Sequence, residues 1–411
     1  MTLPLEGVTV LDLTRVLSGP FATLQLADLG AEVIKVEHPR GGDDTRAFGP
    51  PFVEGESTYF MSVNRRKKSL ALDLKHPRGT EVAHRILESA DVLIENFRPG
   101  AADRLGLGAE TLRGKYPRLV TCSISGYGQA GDVRYARRGG YDAVIQAASG
   151  MMALTGAPDG GPTKVGVALA DMVAGLYATQ GILAALHRRE REGRGAHIDI
   201  SMQDGMLSLL TYQAGIHFAT GREPKRMGNA HPSICPYESL PTADGLYALA
   251  VGNDAQFARL ARAIDRPELL ADPRYASNQA RVAHREALLE VLLPIFATRS
   301  TAEWEALGEA EGIPGGPVLS VSEALAHPQV EARGTVVTHQ HPKAGAIRTL
   351  SSPVRLDGAQ PEAGAPPPLL GQHTRELLRR YGYSEAEAEE LRTDGAVGPV
   401  EVTPPSGPDT Y

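Results

Sequence analysis

Short apolar runs recur along the first half of the chain, and stretches with helical periodicity separate them. The runs are VTVLDL from Val8, AEVIKVE from Ala31, SLALDL from Ser69, DVLIENF from Asp91, RLVTCSIS from Arg118 and GAHIDIS from Gly195. Between them, PFATLQLADLG closed by Gly30, EVAHRILESA and a segment from Pro99 carry the helical pattern. Strands apolar on both faces, alternating with helices, demand a parallel sheet covered on both sides. The sequence therefore predicts an α/β fold. Ligands on such sheets bind beyond the carboxyl ends of the strands. Those ends are Thr14–Ser18, His38–Arg40, Asn96–Gly100 and Ser125–Tyr127.

A chain of 411 residues, 42% hydrophobic, can bury more than one core. The pattern changes after residue 220, where the helical stretches FARLARAI, REALLEVLLPIFA and TAEWEALGEAEG are joined by turn-rich links. Residues 1–220 are expected to form most of a large domain and 221–334 a smaller one. Residues 335–395 return to the large domain. The tail 396–411 lacks apolar periodicity and is expected to be poorly ordered. The net charge of -7 provides no basic field for nucleic acid. The N-terminus shows no signal-peptide pattern, so a cytoplasmic location is expected. The only cysteines, Cys122 and Cys235, have no metal-type spacing and make no disulfide scaffold. No metal is expected.

Between Val165 and His187 there is a single charged residue, Asp171. The stretch is long enough to span a membrane, but it is rich in Ala and Gly and no second such stretch exists. A core helix ending at His187-Arg188-Arg189 fits better. Two readings of Asp171 then remain. As an N-cap it would bond the first-turn N–H groups. As a reactive carboxylate it would be a nucleophile in an apolar pocket. Residue type alone does not separate them. The motif GYGQAG, Gly126 to Gly131, follows a strand but opens no amphipathic helix, so it reads as a glycine turn rather than a dinucleotide site. The basic clusters NRRKKS and Arg137-Arg138 read as solvated faces.

Several stretches in order resemble the class III CoA transferases, the family of formyl-CoA and carnitine CoA transferases. They are SGPFATLQLADLGAEVIKVE, NRRKKSLALDLK, DVLIENFRPGAADRLGLG, GYDAVIQAASG, ALADMVAGLYA and GRGAHIDISMQDG. The resemblance runs to GQHTRELL, over nearly the whole chain. It implies a Rossmann-like large domain, a smaller second domain and an interlocked homodimer. It also implies that Asp171 is the nucleophile. In that chemistry Asp171 attacks an acyl-CoA to give a mixed anhydride. CoA thiolate then converts the anhydride into an aspartyl-CoA thioester, and an acceptor carboxylate takes the CoA by the reverse steps. CoA contacts carry over to Val16, Leu17, Ser18, His38, Leu72, Asp73, Leu74, Lys75, Asn96, Phe97, Arg98, Arg104, Arg138 and Tyr141. Some members have arginine where His38 stands.

Formyl-CoA transferases carry a glycine run over the active site, whereas this chain has GNAHPSICPYESL from Gly228. Formyl-CoA:oxalate exchange is accordingly disfavoured. The expected acceptor is a dicarboxylate or hydroxy acid, with succinate or malate as examples. His231, Ser233 and Tyr237 are the polar groups available to bind it. The nearest rival activity is 2-methylacyl-CoA racemase, of the same fold, but its histidine is replaced by Tyr141. A non-catalytic acyl-CoA-binding protein and, on GYGQAG alone, an NAD-dependent dehydrogenase are further alternatives.

Overall fold

The computed structural model describes residues 3–136, 138–359 and 362–398. Its main sheet has six parallel strands: β1 Thr9–Asp12, β2 Glu32–Glu37, β3 Lys67–Ala71, β4 Val92–Glu95, β5 Val120–Ser125 and β6 His197–Ser201. Their order is β3-β2-β1-β4-β5-β6, the doubly wound order of Rossmann-like folds. The order reverses between β1 and β4. The crevice beyond their carboxyl ends is where such sheets hold ligands.

Both faces of the sheet are covered. On one, α1 (Ser18–Asp28) and the long helix carrying Asp171 pack with Val10, Val33, Val92 and Val120. On the other, α2 (Pro77–Leu87) and the helices Thr374–Arg380 and Glu385–Thr393 pack with Leu11, Ile34, Leu70 and Leu93. Two more helices matter for the site: α3 (Asp142–Ala148) and α4 (Leu169–Glu192). α4 is long and apolar enough to cross a membrane, yet Val173, Ala174, Ala178 and Ile182 are buried against the sheet and α1. It runs past the expected basic end to Glu192, where Gly193, with φ 69°, adopts the left-handed conformation that closes the helix.

The chain divides into two compact units. One comprises the chain up to Met151, Val165–Ala214 and the chain from Glu331 on; the other comprises Met152–Lys164 and Gly215–Val330. The stretch Met152–Lys164, counted by sequence with the large domain, therefore belongs to the smaller unit. That unit has a three-stranded antiparallel sheet and a core of its own around Phe257, Leu288, Phe296 and Trp304. The expected tail from Ala396 begins differently from its prediction. Ala396 and Val397 are buried, Val397 bridges Leu72, and Gly398 N–H donates to the Ala71 carbonyl at 3.0 Å. The rest of that tail lies outside the described residues, as does Arg137.

The NRRKKS cluster is not a solvated face. Arg65 and Lys67 are each 2% exposed. Arg65 donates to Asp28 at 2.6 Å, and Lys67 stands 3.5 Å from Asp12. Burial pushes the Lys67 ammonium down to about 7, against the opposing pull of Asp12. Lys35, on β2, pairs with Asp43 at 2.8 Å and donates to the Thr14 carbonyl at 3.0 Å. Burial opposes ionisation of Asp43, but Lys35 and the bonds from Thr45 hold its carboxyl down near 2. Charge runs look solvated by composition; tertiary partners are what permit burial.

Candidate active site

The loop after β1 carries the first part of the site. Val16 has φ 66°, a left-handed conformation that a β-branched residue adopts only under constraint, at a cost of about 1–3 kcal/mol. The constraint is visible on both sides. Val16 N–H donates to Asp43 Oδ1 at 3.2 Å. Asn96, at the end of β4, accepts from Arg15 N–H at 2.8 Å. It donates to the Arg15 carbonyl at 2.7 Å and to Ser18 Oγ at 3.3 Å. Asn96 thus bridges the two loops at the switch point of the sheet.

That clamp sets the start of α1, and Ser18 is its first residue. Ser18 faces the Asp171 carboxylate, and its hydroxyl and backbone N–H oppose the rise of that carboxyl's pKa. Asp171 itself lies in the first turn of α4, so two helix N-termini converge on one half-buried carboxylate. The close approach depends on Gly175, one turn further along α4. A Cβ there would stand 2.7 Å from the Ser18 carbonyl oxygen.

Asp171 is not the N-cap of α4. The cap residue is Ala168, which offers no side-chain bond. The first turn is served instead by Asp142, whose Oδ1 accepts Ala170 N–H at 2.9 Å. Asp142 is held by Gln146, which donates to its two oxygens at 3.1 and 2.9 Å. Gln146 Oε1 in turn accepts Val165 N–H at 2.9 Å. Freed from capping, Asp171 is open to chemistry. Burial raises its carboxyl to about 7, and the charge of Asp142 adds to the effect, against the lowering bonds from Ser18. Near neutral pH a substantial fraction is ionised, with enhanced basicity.

Tyr59, in the helix Thr58–Val63, is a residue that the sequence reading did not single out and that responds to the site's charges. Burial raises its phenol, and the charges of Asp171, Asp142 and Asp43 raise it further, which places it beside the same carboxylates. Asp142 was also missed as a functional residue. Its signal was its place beside Tyr141 in GGYDAV.

The other expected residues fall into separate groups. Ser18 faces Asp171, and Val16, Leu17 and Asn96 belong to the two strand-end loops that hold Ser18 in place. His38 Nε2 is 3.8 Å from Asp73, and both line a cavity of about 1110 Å³ with Arg40, His76, Arg375 and Arg392. Leu72, 1% exposed, puts its side chain into the core, while Leu74 and Phe97 pack partly against it. Lys75, Arg98 and Arg104 are exposed at the strand ends. Arg138 is exposed and stacks on Tyr135, 4.5 Å from its ring centre. Tyr141 is 71% exposed just before α3. The segment leading to it passes within backbone contact of Gly126, where a Cβ would meet Gly140 Cα at 2.6 Å. That glycine of GYGQAG therefore serves packing. Gln129 N–H in the same turn donates to Asp199 at 2.9 Å, and the helix that follows, Val133–Ala136, is a single four-residue turn.

His231, Ser233 and Tyr237 belong to the smaller unit. Their segment is pinned from behind: Arg285 donates to the Ile234 carbonyl at 2.9 Å and to Glu238 at 3.0 Å. Asn278 donates to the Ser233 carbonyl at 2.8 Å. His231 Nδ1 accepts Ser233 N–H at 3.0 Å. Burial and then Arg285 lower the His231 imidazolium pKa, which favours the neutral ring. Among the described residues no group of three or more His, Cys, Asp or Glu is placed to hold a metal ion.

Comparison with known proteins agrees with this geometry. The model of CoA-transferase family III matches residues 5–374. The chain is 45% identical over 395 residues to the succinyl-CoA:glutarate CoA-transferase of Mus musculus, covering 96% of this chain and 90% of that protein. It is 43% identical over 396 residues to the succinate–glutarate CoA-transferase of Agrobacterium fabrum, covering 94% of this chain and 97% of that protein. A crystal structure of a CAIB/BAIF family protein from Brucella suis superposes with a TM-score of 0.82 at 42% identity, covering 93% of this chain and 100% of that one. A carboxylate freed from capping, raised in basicity and set at the switch point of a parallel sheet is thus found in a chain that belongs to CoA-transferase family III, an enzyme transferring CoA between an acyl-CoA and a carboxylate.

Proposed function

We propose that this enzyme moves CoA from succinyl-CoA to a second dicarboxylate, with glutarate the leading acceptor, through covalent intermediates on Asp171. The observation that carries the mechanism is that Asp142 rather than Asp171 serves the first turn of α4, which leaves the Asp171 carboxylate facing Ser18 and open to chemistry. The donor and acceptor rest on the printed activities of the mouse and Agrobacterium fabrum relatives.

In the first step Asp171 attacks the thioester carbonyl and expels CoA thiolate, leaving an aspartyl–succinyl anhydride. The thiolate then attacks Cγ of Asp171. The bond from Cγ to the bridging oxygen breaks, succinate leaves with that oxygen, and an aspartyl-CoA thioester remains. The acceptor carboxylate attacks the thioester and releases the thiolate. Attack of thiolate on the acceptor carbonyl yields the new acyl-CoA and restores Asp171. A carboxylate is a weak nucleophile, so fixed orientation and exclusion of water do most of the work. The Ala- and Gly-rich first turns of α4 leave room for the thiol and offer no competing base.

CoA binding is assigned to the strand-end residues from Val16 to Tyr141 named above, and acceptor choice to His231, Ser233 and Tyr237. The assembly is an interlocked homodimer. Exposed Leu176, Tyr177, Leu207 and Tyr212 on neighbouring helices support an apolar partner face.

The test is incubation with succinyl-CoA and a panel of dicarboxylates, with new acyl-CoA measured by chromatography. Glutaryl-CoA should form, and Asp171→Ala should abolish its formation while CoA still binds. Replacing His231, Ser233 and Tyr237 together should reorder the acceptors. Substantial turnover by Asp171→Ala would remove Asp171 from the mechanism.

A further inference from the structure

We propose that Asp142 is the positioning residue of the nucleophile: it caps the helix that carries Asp171 and supplies the negative charge that directs the anhydride toward the enzyme–CoA thioester. The proposal rests on the transferase reading above. The geometry begins with Ala170, the residue next to Asp171, whose N–H donates to Asp142 Oδ1 at 2.9 Å. Gln146, 0% exposed, bonds both Asp142 oxygens and, through its own carbonyl, the N–H of Val165. The start of α3, the strand-like approach to α4 and the first turn of α4 are therefore joined through one carboxylate. Close packing of Gly126 on Gly140 fixes the approach to α3 from the other side.

Capping does not require a charge. Asparagine caps a helix about as well as aspartate. A carboxylate in this place sets a second anion against Asp171 and costs repulsion that asparagine would avoid. Among the described residues, the groups that act on the Asp171 carboxylate are Ser18 from α1 and Asp142 from α3, while the phenol of Tyr59, in the helix Thr58–Val63, responds to its charge. Of these, Asp142 is the one that disfavours the anion through its charge.

The consequence lies in how the anhydride divides. Thiolate attack at Cγ of Asp171 breaks its bond to the bridging oxygen and expels the substrate carboxylate, giving the enzyme–CoA thioester. Thiolate attack at the substrate carbonyl breaks the other bond and expels the Asp171 carboxylate, returning to acyl-CoA. An Asp171 anion destabilised by a neighbouring charge is the poorer leaving group. In the donor half-reaction Asp142 thus favours the enzyme–CoA thioester over reversal and makes Asp171 the stronger nucleophile at the outset; in the acceptor half-reaction the same charge slows the final expulsion of Asp171.

The experiment measures formation of the enzyme–CoA adduct from succinyl-CoA without acceptor, by intact mass, between pH 5 and 9. Asp142→Asn keeps an oxygen to cap α4 and removes the charge. Asp142→Ser does the same without an amide group facing Gln146. The acid limb should move down by about one pH unit in both, the effect of one neighbouring like charge. At pH 5.5 the rate relative to its plateau should then rise about eightfold, as the ionised fraction does when a group near 7 moves to about 6. The plateau rate itself should fall a few-fold. An unchanged acid limb in folded variants overturns the proposal, and so does collapse of the fold in both, which would make Asp142 structural only. Absence of any adduct in the wild-type enzyme would instead overturn the transferase mechanism, so the two failures are distinct.

Discussion

Gly175→Ala tests how the Asp171 carboxylate is held. In an unencumbered helix interior this change stabilises by about 1 kcal/mol, through helix propensity. Here the new Cβ would stand 2.7 Å from the Ser18 carbonyl oxygen and 3.0 Å from Phe21 Cδ1. An ordinary carbon–oxygen contact is about 3.3 Å, so α1 and α4 must part by about 0.6 Å. The obstructing oxygen is backbone and is braced by Asn96 and Asp43, so no side chain can swing aside. Overpacking of this kind costs about 1–3 kcal/mol, which offsets or exceeds the propensity gain. The displaced residue is the one whose N–H and hydroxyl face the Asp171 carboxylate. A misplacement of about 1 Å can cost a hundredfold in rate, so about half that displacement should cost roughly tenfold. The assay pairs thermal unfolding with the rate of enzyme–CoA formation. The expected result is a melting temperature unchanged or lowered and a rate reduced about tenfold, with CoA affinity nearly preserved. A variant stabilised by about 1 kcal/mol that reacts at the wild-type rate would refute the reasoning.

The burial of Asp171 also predicts a pH dependence of stability. Its folded value of about 7 lies above the ordinary carboxylate range, so the native state holds the proton more tightly, and stability from this group is present at low pH and lost as pH rises through 7. Asp171 is half-buried, so solvent screening reduces the full linkage value to about 1–2 kcal/mol; Asp171→Asn should gain that much at pH 8 and almost nothing at pH 4 in denaturant titrations, and an equal gain at both would contradict it. Asn96→Ala should release the Arg15–Ser18 loop and lower kcat about tenfold, in addition to any loss of CoA affinity from its assigned contact. A loss confined to CoA affinity would mean that Asn96 acts by touching CoA rather than by holding Ser18.

The parallel sheet was legible from six apolar runs, because a strand buried on both faces writes its burial directly into composition. The small unit's helices were equally legible, while its borrowed stretch Met152–Lys164 was not, since membership depends on contacts that local pattern does not encode. The basic cluster NRRKKS was misread for a related reason. Lys67 and Arg65 are buried because Asp12 and Asp28, distant in sequence, supply counter-charges. Similarly, Ala396 and Val397 look like tail by composition but pack against the end of β3.

The same division runs through the site. The sequence by itself determined that a lone carboxylate would sit at the start of an apolar helix near the strand ends, and motif resemblance identified it as the nucleophile. Without the resemblance it left cap and nucleophile as readings of Asp171 that residue type does not separate, because both roles use the same residue type at the same place. The tertiary structure removed the cap reading. It brought Asp142 in from another helix to cap α4, and it turned Ser18 toward the carboxylate. Gly175 allows the approach, and a left-handed Val16 held by Asn96 and Asp43 fixes it. Each of these is a contact between segments far apart in the chain, and reactivity depends on those contacts: burial and a neighbouring charge set the basicity of a carboxylate that local sequence can only place.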